Sequence, residues 1–112
     1  MQILSPTEFE ELVGDALDGL PEGFRFSNVV VVVEDEREGD PDLLGLYEGG
    51  PLTERGSNSG VLPDRISLYR IPLCLLAEDT DHLAREIRVT VMHEFGHHVG
   101  LEEDRLHQLG WA

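Results

Sequence analysis

From Asp79 to Gly100 the chain permits little besides one long amphipathic helix, and that helix closes on His93-Glu94-Phe95-Gly96-His97. Leu83, Ala84, Ile87, Val91, Phe95 and Val99 recur at helical spacing and form its apolar stripe. Asp79-Thr80-Asp81 offers capping side chains at the start, and Gly100 is a residue that ends helices readily. Side chains four residues apart on a helix leave the same face about one turn apart. His93 and His97 therefore aim two imidazoles at one point, where they can hold one metal ion together, with the Glu94 carboxylate beside them. A general base next to a metal-bound water is the core of a zinc hydrolase site.

A zinc site of the catalytic kind takes three protein ligands and keeps one position for water. The motif continues as H-E-x-x-H-x-x-G-x-x-E, with Gly100 and Glu103 at the added positions. A glycine reaches the left-handed conformation at little cost, so the helix can stop there and the chain can swing back under the metal. Glu103 is then the expected third ligand. Glu102 and Asp104 flank it as direct competitors, and His107 is the remaining rival. His98 points about 100° away from His97 and is assigned to packing or the surface. Glu94 is the expected catalytic base, able to take a proton from water and return it to a leaving amine. Tyr47 and Tyr69 each carry a hydroxyl that an oxyanion can use, although half-buried strand residues are the ordinary reading of both. Arg65, Arg70 and Arg105 are assigned to salt bridges.

The rest of the chain reads as one α+β domain over residues 1–112, with about three strands in a small mixed or antiparallel sheet. Ser5-Pro6-Thr7-Glu8 has the form of a capping box with proline at the first helical position, which predicts a helix over about 6–19. Val29 to Val33 predicts a buried strand. Leu43 to Tyr47 predicts a second strand. Asp64 to Ile71 alternates polar and apolar residues and predicts a strand with one face exposed, ended by Pro72. That strand is also the expected edge for pairing with an extended peptide. A short helical turn is expected over Leu73 to Ala77, and a last helix over Glu102 to Leu109. Gly49 to Pro63 is rich in Gly, Ser and Pro, and a mobile loop is expected there.

Composition removes several function classes. A net charge of −15 repels nucleic-acid phosphates and anionic membranes. It suits basic or neutral substrates, although solubility is the ordinary reading of such a charge. The single cysteine, Cys74, lies in an apolar run and cannot form an intrachain disulfide or a thiolate metal site. The first residues lack the basic and apolar regions of a signal peptide, and no apolar run reaches the ~18 residues of a membrane span. A cytoplasmic monomer acting on peptide or protein is expected, with no nucleic-acid or membrane partner.

His93 to Leu101 and Glu102 to Leu106, together with Phe9 to Val13, Val31 to Asp35, Leu44 to Tyr47 and Pro63 to Tyr69, resemble the small bacterial zincin-like metallopeptidases, also described as minimal metalloproteases. The resemblance covers nearly the whole chain. It implies a compact zincin-like α+β fold, with the sheet packed on an N-terminal helix and the metal-binding helix. It implies Zn2+ as cofactor, ligand roles for His93, His97 and Glu103, and the base role for Glu94. The larger metzincins have a histidine where this chain has Glu103, and a methionine turn after the motif; here Met92 precedes it. The expected function is zinc-dependent peptide hydrolysis. The rival is a non-catalytic metal-binding or protein-interaction module whose zinc braces a small core.

Overall fold

The computed structural model describes residues 1–25, 28–49, 63–98 and 103–110. In chain order the elements are α1 (Pro6–Asp18), α2 (Glu22–Arg25), β1 (Val29–Glu34), β2 (Gly45–Glu48), β3 (Asp64–Tyr69), α3 (Arg70–Leu76), α4 (Thr80–His98) and α5 (Glu103–Leu109). The architecture is α+β, as expected. The sheet is mixed, with order β1-β3-β2: β1 runs parallel to β3, and β2 runs antiparallel to it.

Local signals in the sequence account for the helix starts. The Ser5 hydroxyl accepts from the Glu8 N–H and the Glu8 carboxylate accepts from the Ser5 N–H, both at 3.2 Å. These reciprocal bonds satisfy N–H groups that the first turn leaves without intrahelical partners. At α4 the Asp79 carboxylate accepts from the His82 N–H at 2.8 Å, and His82 Nδ1 accepts in turn from the Glu78 N–H at 3.0 Å.

Between these layers lies the core. Phe9, Val13 and Ala16 of α1 meet Leu83, Ile87 and Val91 of α4 over Ile66 and Leu68 of β3, with Leu73 and Cys74 of α3 closing one end. The apolar stripe read along α4 is the buried one over Leu83, Ile87 and Val91, while Ala84 and Phe95 lie at its margin. Phe95 also meets the ring of Phe24 edge to face, with centroids 5.1 Å apart.

Three expectations change. Val29 to Val33 is an edge strand of the described sheet rather than a buried one, and Val30 is 43% exposed. A β-branched run is equally at home on an edge, because β-propensity records fit to a pleated surface more than depth. Asp64–Tyr69 is the central strand, and only Arg65 along it is exposed. Its alternation does not mark a solvent face, and with a neighbour on both sides it has no edge for a peptide. The strand also stops at Tyr69 rather than Ile71, and Pro72 sits in the first turn of α3. There proline removes an N–H that the helix would leave unpaired anyway. The predicted loop over Gly49 to Pro63 falls almost wholly outside the described residues.

Candidate metal centre

His93, Glu94 and His97 stand on the last turns of α4, each offering a ligand atom, and these atoms all lie within 4.8 Å of one another. The two imidazoles meet edge to face with their planes at 80°. Their Nε2 atoms are 3.3 Å apart. Two nitrogens each ~2.0–2.1 Å from one tetrahedral zinc stand about 3.3–3.4 Å from each other, so the pair is spaced as one zinc requires. The donor set, two imidazole nitrogens beside a carboxylate, also suits that ion.

Glu94 has a partner on another element. Its Oε1 accepts from the main-chain N–H of Tyr47 on β2 at 2.9 Å. Its Oε2 stands 3.9 Å from His93 Nε2. One oxygen is thus engaged by the strand and the other faces the imidazole. The side chains of His93 and Glu94 are 27% and 15% exposed, so the site is open to solvent yet partly enclosed.

Packing of β2 against α4 creates this arrangement. Gly45 is buried, and a Cβ built on it would stand 2.5 Å from Thr90 Cγ2 and 3.2 Å from the Ser67 carbonyl oxygen. Only a residue without a side chain lets the strand come this close. A cleft of about 380 Å³ opens between the segment entering β2 and the helix, lined by Leu43, Leu44, Val89 and Thr90 with Asp42, Glu86, His93 and Glu94. Glu94 and His93 form part of its wall, so the cleft adjoins the cluster.

The structure brings together the motif residues His93, Glu94 and His97. Glu103 opens α5, but its side chain lies outside the described residues, as do the side chain of His98 and all of Gly100 and Glu102. Asp104 and His107 are exposed on α5. The Tyr47 hydroxyl donates to Asp64 Oδ2 at 2.6 Å, which commits it to the fold. Tyr69 is fully buried, and its hydroxyl has no hydrogen-bond partner among the described residues. The salt-bridge reading holds for Arg65 with Glu48 and for Arg70 with Asp35, each at 2.9 Å. The Glu48 hydrogen bond and charge raise the Arg65 guanidinium above its usual range. Arg105 donates instead to the amide oxygen of Gln108. Sequence reasoning missed the Tyr47 main-chain N–H, because every residue but proline carries that group. Gly45 gave the only available signal: a glycine inside a strand marks a close approach.

Comparison with known proteins defines the class. Residues 26–111 match the Zincin-like metallopeptidase family, and the chain belongs to that family. It is also similar to a solved structure, a conserved hypothetical protein from Thermus thermophilus, with 26% identity and a TM-score of 0.59. The match covers 85% of this chain and 94% of that one. No curated protein matches. Among the described residues no helix is long and apolar enough to cross a membrane.

Proposed function

We propose that this chain is a zinc-dependent peptidase in which His93, His97 and Glu103 hold the metal and Glu94 is the general base. The carrying observation is the 3.3 Å spacing of the two Nε2 atoms with the Glu94 carboxylate beside them. Membership of a metallopeptidase family supports the same reading. Zinc held there would supply a Lewis acid for the scissile carbonyl and would make the attacking water more acidic. Glu94 takes the proton of the attacking water on Oε2, the oxygen that does not meet the Tyr47 N–H. The same carboxyl then protonates the departing amine, which prevents the bond from closing again.

The strand available to an extended peptide is β2, which is an edge of the described sheet and lies against the metal-binding helix. Asp42 and Glu86 in the adjoining cleft favour neutral or basic side chains over acidic ones.

Metal analysis joined to a peptide-library cleavage screen tests the proposal. One zinc per chain, lost in the His93→Ala and His97→Ala proteins together with cleavage, is the expected result. A zinc with a fourth protein ligand, and no cleavage by the loaded protein, would establish the structural-zinc alternative.

A further inference from the structure

We infer that Gly45 is a positioning residue for Glu94: by lacking a side chain it seats β2 against α4 so that the Tyr47 main-chain N–H fixes the carboxylate. The inference rests on the proposed base role of Glu94 and extends it to an element outside the H-E-x-x-H motif.

The geometry has three linked parts. Gly45 is buried, and its missing Cβ is the gap that Thr90 Cγ2 occupies. Thr90 is 8% exposed and precedes Glu94 by one helical turn, so the same helix face carries both. Two residues along β2, the Tyr47 N–H reaches Glu94 Oε1 at 2.9 Å. The 2.5 Å approach to Thr90 Cγ2 leaves no room for a methyl group. Thr90 has two χ1 rotamers open to it in a helix, and it is buried, so it can yield only by a rotamer change within packed surroundings. The Ser67 carbonyl oxygen, at 3.2 Å from the same point, blocks escape toward β3. A methyl at position 45 therefore has to lift β2 from the helix, and the N–H of Tyr47 moves with it.

A carboxylate on a three-bond side chain has several rotamers open to it at a partly solvated site. The Tyr47 N–H selects one in which Oε1 is occupied and Oε2 faces His93. The motif places Glu94 on the correct helix face, and β2 chooses the direction in which its proton-accepting oxygen points. A displacement of about 1 Å in such a group is enough to cost about 100-fold in turnover.

The test compares the wild type with Gly45→Ala and Gly45→Ala/Thr90→Ala, reading Tyr47 amide hydrogen exchange, zinc affinity and peptide kcat and KM. In Gly45→Ala, exchange at Tyr47 is expected to rise about tenfold while Ile66 and Leu68 on the central strand stay protected. Zinc affinity and KM are expected to hold while kcat falls by about 10- to 100-fold. Removing the Thr90 γ atoms in the double variant is expected to restore much of the Tyr47 protection and of kcat. Unchanged exchange at Tyr47 in Gly45→Ala, or a zinc affinity that falls in step with kcat, would overturn the inference. Should Gly45→Ala fail to fold, Glu94→Ala takes its place. Loss of Tyr47 protection there upholds the contact, and retained protection overturns it. If the wild type cleaves no peptide, the proposed activity fails by itself, and amide exchange still decides the role of Gly45.

Discussion

At the scale of single residues, the site divides into groups proposed to hold a metal and groups that aim the side chains beside it. His93 and His97 owe their spacing to the helix repeat, which is why it was legible in the sequence. The place of Glu94 beside them was legible for the same reason, but its orientation was not, because it depends on a main-chain N–H from a strand far away in the chain. The proposed third ligand, Glu103, rests on the Gly100 and Glu103 spacing and on the family resemblance. Glu103→Gln is expected to weaken zinc binding more than Glu102→Gln, Asp104→Asn or His107→Ala, as measured by competition with a chelator. Equal losses in all four would remove Glu103 from the ligand set. Tyr47 joins the site through its backbone, while its hydroxyl serves Asp64, which is only 3% exposed. Tyr47→Phe is therefore expected to act on stability, costing about 1–3 kcal/mol through the loss of one hydrogen bond to a buried carboxylate. Thermal unfolding checks this, and an unchanged midpoint would contradict it.

Among the elements, helices were more legible than strands. The Ser5–Glu8 box and the Asp79 cap are local events written in four consecutive residues, and α1 and α4 begin where those signals place them. Ser5→Ala is expected to cost about 1 kcal/mol, visible as a shift in the denaturant midpoint. Strand rank is a different matter. Val29–Glu34 reads as more apolar than Asp64–Tyr69, yet the latter is the central strand. Centrality follows from which neighbours a strand acquires, and the partners of Asp64–Tyr69 come from two separate parts of the chain, one parallel and one antiparallel. Its place also decides where a peptide can be added, moving the candidate edge from β3 to β2. Core energetics follow the stripe on α4: Ile87→Ala and Leu83→Ala are each expected to cost about 2–5 kcal/mol, because both side chains are fully buried. Equilibrium unfolding measures that, and a cost near that of an exposed substitution such as Val30→Ala would contradict the packing described.

For the whole molecule, charge and size set the conditions under which the site works. A net charge of −15 on 112 residues surrounds the cleft with a negative field. Peptides with basic residues are therefore expected to be cleaved with higher kcat/KM than acidic ones of equal length. The difference should shrink as salt rises and the screening length shortens to about 8 Å near 0.15 M. A salt-independent preference would locate selectivity in contacts rather than field. The family match and the similar solved structure establish the zincin-like fold, while the step from that fold to hydrolysis rests on Glu94. The most direct measurement is therefore the turnover of zinc-loaded Glu94→Gln beside zinc-loaded wild type on one cleavable peptide, with bound zinc quantified in both. The expected result is equal zinc content and a loss of about 10²–10⁴-fold in kcat, the range for removing a general base. Equal zinc with undiminished turnover in the variant would contradict the account.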